Sequence, residues 1–166
     1  MTAPTLHEAL GPPPFRFVPS PGVLVSPAFS WPFRLLATAL AGGAALWLVL
    51  LYSGALAGAN HRSTAMAWFA AAVLLMLVTW WHIVAGKTTL SPQALHQSWV
   101  WDKHMDLREL AYAKLIRVRG LDWLIAPRLY VRTLMGKFAV FYAADPAMLS
   151  NFERLVKELH AFRHAR

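Results

Sequence analysis

The side chains best suited to binding chemistry in this sequence are four arginines at alternating positions of two short segments, YAKLIRVRG and RLYVRTL. They are Arg117, Arg119, Arg128 and Arg132. Alternation with a period of two places side chains on one face of a β-strand, so each pair is expected to project from one sheet face. Beside an anionic membrane leaflet such a surface attracts lipid headgroups. The pattern therefore predicts a surface that binds lipid headgroups or an acidic partner, unless it is only an ordinary solvated face.

Other reactive chemistry has little support in the sequence. The chain has no cysteine and no GxSxG motif, which excludes thiol nucleophiles and a nucleophile elbow. His160 and His164 have a spacing that can bind zinc, but no third ligand is near them in sequence. His61 and His82 are separated by roughly 31 Å of a helix, too far to share a ligand. We therefore predict a protein that is not an enzyme, with no catalytic residues, no metal and no cofactor.

Two apolar segments determine the class of the protein. Residues 35–59 and 63–86 contain no Asp, Glu, Lys or Arg. Each exceeds the ~20 residues that a helix needs to cross a hydrocarbon core of ~30 Å. They predict a transmembrane helical hairpin over residues 33–86, with a short outer turn at 60–63. The absence of Asp, Glu, Lys and Arg within the spans argues against a proton or ion path in this chain alone.

The distribution of charge predicts the orientation of the hairpin. Thirteen of the 16 basic residues follow Gly86, against seven acidic ones. An excess of Lys and Arg in short flanking segments marks the cytoplasmic side. Aromatic residues stand before the first span and at the end of the second, as is typical of one membrane interface. We expect a multi-pass protein of the bacterial inner (cytoplasmic) membrane with both termini in the cytoplasm.

Small residues recur at helical spacing in the hairpin. Gly54 and Gly58 form a GxxxG pair, and Ala39 and Gly43 form a weaker one. Small residues allow membrane helices to approach each other closely. The pairs indicate either contact between the two helices of one hairpin or association with another chain, as a homo-oligomer or as part of a larger complex.

The flanking segments predict an arm and a strand-rich domain. Residues 1–32 form a proline-rich arm whose apolar residues need cover from the domain or the membrane surface. Residues 87–166 show strand periodicity, first in ALHQSWVW, whose Leu95, Trp99 and Trp101 share one parity. Asp102 and Asp106 are expected to flank a turn. Gly136 marks a tight turn between two further strands.

The chain ends in a predicted amphipathic helix over residues 146–163. Asp145 suits the N-cap, and Pro146 suits the first helical position. Apolar residues then follow at steps of three and four, which predicts one buried stripe. Its members are Leu149, Phe152, Leu155, Val156, Leu159 and Phe162. Strands followed by one such helix indicate an α+β domain with an antiparallel sheet or a partly open barrel covered by the helix.

Three segments carry a family resemblance: KTTLSPQALHQSWVW, ELAYAKLIRVRG and FAVFYAADPAMLSNFERLVKEL. Together with the preceding hairpin they resemble membrane-anchored bacterial pleckstrin-homology-like (PH-like) proteins of the YcxB-like and bPH2 type, over about residues 66–162. The resemblance implies a partly open seven-stranded barrel that is capped by a helix and has no catalytic residues. Only five or six strands are visible in the sequence. The arm offers residues 15–18 or 23–25 as a further strand.

These observations lead to one functional hypothesis and one alternative. The hypothesis is a membrane-anchored binding, scaffold or accessory-subunit protein with a cytoplasmic PH-like domain. Its expected partners are membrane lipids, including anionic headgroups, and another membrane subunit or a second copy. The alternative is the non-catalytic chain of a membrane enzyme or transport complex whose active site is completed by partner subunits. Nucleic-acid binding is not predicted, because strand alternation alone explains the interleaved aromatic and basic residues.

Overall fold

The computed structural model describes residues 14–54, 64–118 and 120–164. A short strand, β1 (Leu24–Pro27), precedes two long helices, α1 (Trp31–Tyr52) and α2 (Thr64–Ala85). The strands that follow are β2 (Lys87–Leu90), β3 (Ala94–Ser98), β4 (Lys103–Asp106), β5 (Leu110–Ile116), β6 (Arg128–Thr133) and β7 (Phe138–Tyr142). A 3-10 turn (Leu107–Glu109) joins β4 to β5, and helix α3 (Pro146–His164) ends the described chain. The predicted general layout of two apolar helices, a sheet domain and a terminal helix is confirmed.

The strands form two antiparallel sheets. One has the order β1-β2-β3-β4 and the other the order β5-β6-β7. β1 pairs directly with β2, so that Leu24 lies opposite Leu90 and Pro27 lies opposite Lys87. The arm therefore supplies a strand, which the sequence had left open. Because α1 and α2 lie between β1 and β2 in the chain, the two-helix hairpin is an insertion between two neighbouring strands of one sheet.

The core of the domain lies between the two sheets and α3. The fully buried side chains of α3 pack with those of both sheets because the helix presents its apolar stripe to them. The largest of these side chains are Leu90, Leu95, Leu107, Leu110, Leu129, Phe141, Phe152, Leu155 and Leu159. The arm contributes Phe15 and Phe17, which are 3% and 1% exposed, so of the two alternatives that the sequence left open, the domain provides the cover for these residues.

Two local predictions about turns and caps are confirmed. The Asp145 carboxylate accepts a hydrogen bond from the Ala147 backbone N–H at 2.8 Å, which caps the start of α3. Gly136 has a φ of +83°, which side chains with a Cβ rarely adopt, and it closes the turn between β6 and β7. Its backbone N–H donates to the Thr133 carbonyl at 3.1 Å.

The segment after β3 differs from the prediction. β3 ends at Ser98, and Trp101 is exposed rather than aligned with the buried Leu95. The turn predicted between Asp102 and Asp106 is wrong, because Lys103–Asp106 is strand β4 and pairs with β3. Its buried residue is Met105, which enters the core. This segment forms a strand because it pairs with β3. Its four mostly polar residues are too few to show the alternation of a strand in the sequence.

The hairpin helices are each 22 residues long, or about 33 Å at the rise of an α-helix. Only 6% of the most apolar window of each helix is buried inside the protein. A core helix of a soluble protein is mostly buried, so these two helices suggest a membrane protein. α1 begins at Trp31 and includes Arg34, so the helix extends beyond the apolar segment toward the domain.

Among the described residues, several contacts between the two helices are made by side chains other than the predicted small pairs. The Trp80 indole N–H donates to the Thr38 hydroxyl at 2.8 Å. Ala41 and Val73 are the buried residues of the two helices. Ala39 is exposed, and Gly43 has no atom within 4 Å of the position that a Cβ would take. Gly54 lies beyond the end of α1, and Gly58 lies outside the described residues.

A glycine at the junction of the hairpin and the domain provides a stability prediction. A Cβ on Gly86 would lie 2.8 Å from the His82 carbonyl oxygen and 3.5 Å from that of Ser98. Because the nearest atom belongs to the backbone, Gly86→Ala is expected to destabilise the fold by about 1–3 kcal/mol. Thermal unfolding of the full chain in detergent measures this effect.

The matched control is Gly42→Ala, which adds a Cβ within α1 where nothing lies within 4 Å. This substitution should leave the melting temperature unchanged or raise it slightly, since alanine is the better helix former. Equal melting temperatures for the two variants would contradict the tight junction at Gly86.

Candidate functional site

The outer face of the β5-β6-β7 sheet gathers basic and aromatic side chains. Along each strand, alternate residues are buried in the core and the others point outward. The inward set on β6 is Leu129 and Val131, both fully buried. We define the basic–aromatic face by the outward residues of the three strands: Tyr112, Lys114, Ile116, Arg128, Tyr130, Arg132, Phe138, Val140 and Tyr142.

The strand register places each arginine of β6 between apolar neighbours. Arg132 lies opposite Tyr112 on one side and Phe138 on the other. Arg128 lies opposite Tyr142, and its guanidinium carbon is 5.6 Å from the centre of that ring. This distance is within the range of a cation–π interaction.

Aromatic rings connect the centre of the face to its edges. Tyr130 contacts Tyr112 edge-on, with ring centres 6.4 Å apart. It also stacks beside Phe138 at 6.4 Å. Phe138 is 72% exposed and Tyr112 is 48% exposed, so the aromatic surface is accessible. Large exposed aromatic residues beside arginine are characteristic of protein-binding surfaces.

The basic–aromatic face contains no acidic side chain. Within the described part of the chain, the ion pairs join Arg117 to Glu153, Arg154 to Glu158, and two histidines to aspartates. Lys114, Arg128 and Arg132 take part in none of these pairs. The face therefore carries three cations whose charge is not neutralised by a neighbouring carboxylate.

Arg117 and Arg119 do not extend this face as the sequence suggested. β5 ends at Ile116, and Arg117 donates instead to the Glu153 carboxylate of α3. The expectation that Arg117 projects from a strand is therefore wrong, because the chain leaves the sheet one residue earlier. Arg119 lies outside the described residues. Of the four predicted arginines, the structure brings Arg128 and Arg132 together.

One end of the face is close to the root of the hairpin, by which we mean the place where α1 begins and α2 ends. Tyr142 stacks on Phe29 at 5.7 Å, and Phe29 stacks on Phe33 of α1 at 5.5 Å. Arg128 lies opposite Tyr142 and so belongs to this end. Arg132 lies four residues further along β6, or about 14 Å away. The face thus extends from the root of the hairpin toward the far end of the domain.

Lys103 connects the two sheets beside the face. Its ammonium group lies 5.3 Å from the Trp99 ring centre and 5.6 Å from that of Tyr142. It donates a hydrogen bond of 3.1 Å to the Val140 carbonyl of β7. Burial lowers the pKa of Lys103 because the charged form loses solvation. This lysine therefore links β4 to β7 beside the face.

The histidines of α3 have contacts of their own. His160 and His164 stack with ring centres 3.7 Å apart, and a ring nitrogen of His164 lies 2.9 Å from the His160 carbonyl. Over residues 14–54, 64–118 and 120–164, no three His, Asp or Glu side chains are grouped so that they could hold a metal ion. His61 lies outside these residues.

Sequence reasoning missed the aromatic half of the face and Lys114. The sequence does contain a strand pattern for these residues. Tyr112 and Lys114 flank Ala113 in YAKLI, and Phe138 is followed by Ala139 in FAVFY. Alternation alone does not tell which strands are neighbours. The pairing of β6 with both β5 and β7 is what assembles the residues.

Comparison of the chain with protein-family models, curated proteins and solved structures gives no match. The function is therefore inferred from the geometry of the molecule.

Proposed function

We propose that this protein is a non-catalytic binding subunit of the bacterial inner membrane. Its hairpin spans the membrane, both termini are cytoplasmic, and its domain is PH-like. The basic–aromatic face binds an acidic segment of another membrane-protein subunit. The protein then acts as a scaffold or accessory chain in a membrane complex.

One observation carries the proposal: three cations with no carboxylate partner lie among exposed and half-buried aromatic rings on one sheet face. The cations attract carboxylates and speed encounter with an acidic partner. The rings provide apolar area that loses water on binding, as the central residues of an interface do. A face used only for solubility has no need of four aromatic side chains between its charges.

The direction of the face favours a protein partner over lipid. Arg128 lies near the root of the hairpin, but Arg132 lies about 14 Å further along the strand. Attraction to a charged membrane surface falls off within a Debye length of about 8 Å at physiological salt. Lipid headgroups can therefore reach one end of the face, whereas an extended acidic segment can follow all of it.

The fold supports the PH-like part of the proposal. Two antiparallel sheets of four and three strands and a C-terminal helix agree with the layout that the resemblance implies. The hairpin between β1 and β2 holds this domain close to the membrane.

Purification of the full chain in mild detergent, followed by native mass measurement, tests the proposed function. We expect a stoichiometric membrane-protein partner that dissociates when salt is raised from about 0.05 to 0.5 M, because exposed charge pairs are screened. A partner whose binding is insensitive to salt, or a chain that carries only lipid, would contradict the proposal.

Labelling with a membrane-impermeant maleimide tests the proposed orientation. The chain has no cysteine, so each introduced cysteine is the only reactive thiol. A cysteine in place of Asn60, in the predicted outer turn, should react in intact spheroplasts. A cysteine in place of His104, which is exposed on β4, should react only after the membrane is permeabilised. The reverse pattern would place the domain on the outer side.

A further inference from the structure

Four strongly exposed tryptophans surround the root of the hairpin. Trp31 begins α1 and Trp81 lies near the end of α2, and they are 64% and 61% exposed. Trp101 and Trp123 lie in loops of the domain and are 79% and 62% exposed. We call these four residues the tryptophan collar. Exposed tryptophans are unusual in a soluble domain, since their large apolar area favours burial.

The loop that carries Trp101 starts at the root of the hairpin. Ser98, the last residue of β3, lies opposite Lys87, which follows the junction residue Gly86. The next residue, Trp99, contacts the Phe29 ring edge-on at 6.1 Å. Phe29 in turn stacks on Phe33 within the first turn of α1. Residues 99–102 therefore lie beside the entry to the first span.

The loop that carries Trp123 is tied to the same place from the other sheet. The hydroxyl of Ser30, the N-cap residue of α1, donates a hydrogen bond of 2.5 Å to the Leu124 carbonyl. Ser30 is 8% exposed, so this contact is enclosed. Residues 121–125 consequently lie at the level where α1 begins. Leu121 adds a further exposed apolar side chain to this loop.

The chemistry of the two loops fits the membrane interface rather than its apolar interior. Tryptophan concentrates at the headgroup level, where one part of the ring is apolar and its N–H is hydrated. Irregular backbone exposed to lipid does not enter the hydrocarbon region, because its polar groups would lose their hydrogen bonds. Asp102 and Asp122, beside the two tryptophans, also require water.

We propose that the tryptophan collar seats the domain in the interface of the membrane that the hairpin spans. Trp101 and Trp123 insert at headgroup level beside Trp31 and Trp81. The domain therefore has a fixed orientation, with the Arg128 end of the basic–aromatic face nearest the bilayer. This seating depends on the tryptophan rings, which partition to the headgroup level without a need for anionic lipid. The inference rests on the proposed membrane span.

Nitroxide labels on single cysteines test the inference in the full chain reconstituted in phosphatidylcholine nanodiscs. Labels replace Val100 beside Trp101, Leu121 in the loop of Trp123, Met135 in the distal β6–β7 turn, and Leu46 in the middle of α1. All four side chains are exposed, so their replacement leaves the core and the collar tryptophans intact. Collisions with oxygen and with a water-soluble nickel chelate report the depth of each label.

We expect the labels at 100 and 121 to lose most of the nickel-chelate collisions that the label at 135 shows, and to lie shallower than the label at 46. Labels at 100 and 121 that collide with the chelate as often as the label at 135, while the label at 46 is protected, would overturn the seating alone. Free access of the chelate to the label at 46 would overturn the membrane span, and the seating with it.

Discussion

Replacing Arg128 and Arg132 together with glutamate should release the acidic partner from the full-length protein. Each exposed ion pair contributes about 0.2–1 kcal/mol, and reversal adds repulsion of a similar size. Two reversals then weaken binding by roughly 1–4 kcal/mol, or between about fivefold and several hundredfold. The fraction of partner retained by the affinity-purified chain at low salt measures the effect.

The matched control reverses two exposed cations that lie elsewhere. Arg108 is in the 3-10 turn before β5, and Lys157 is on α3. Their reversal changes the net charge by the same amount but leaves the basic–aromatic face intact. Partner retention should stay near that of the unchanged protein. An equal loss in both double variants would show that only total charge matters, and it would contradict a defined face.

Phe152→Ala should strongly destabilise the domain. Phe152 is fully buried on α3 and belongs to the core cluster with residues of both sheets. Removing a buried phenylalanine ring costs about 3–5 kcal/mol, because transfer energy is lost and a cavity remains. This is a large share of the ~5–15 kcal/mol that stabilises a typical domain. Hydrogen exchange of the full chain in detergent should show strand β5 losing its protection.

The backbone amides of α1 and α2 should remain protected from hydrogen exchange in Phe152→Ala, because the contacts between these helices are separate from the core of the domain. The Thr38–Trp80 hydrogen bond and the contact of Trp47 with Phe69 join α1 to α2 directly. Val156→Ala on the next turn of α3 is the control, since Val156 is only partly buried and loses less volume. If the two variants exchanged alike, the core described here would be wrong.

Much of the fold could be predicted from sequence because its strongest signals are local. The apolar segments, the Asp145 cap and the alternation in β5 and β6 each arise within a few residues. Strands β1 and β4 could not be predicted in this way. Each has only four residues, too few to show a period of its own, and each is defined by its pairing with a neighbouring strand. β1 pairs with β2 across the whole length of the hairpin.

The candidate site also has parts that local sequence predicts and parts that depend on contacts between distant residues. The alternation of Arg128 and Arg132 on one strand is a local property and was predicted correctly as a shared face. The position of Arg117 depends on where β5 ends, and its contact with Glu153 joins residues 36 positions apart. Trp101 was assigned to a strand by its parity with Leu95. Its exposure at the root of the hairpin depends on the chain turning after Ser98.

Photo-cross-linking from the basic–aromatic face tests the central claim most directly. A photoreactive phenylalanine analogue replaces Phe138 on the face and, as a control, the exposed Lys157 of α3. After irradiation of living cells, the cross-linked peptides are sequenced by mass spectrometry. We expect position 138, and not position 157, to attach to an acidic segment of another membrane protein. Attachment of position 138 to lipid only, to a second copy of the chain, or to the same products as position 157 would contradict the claim.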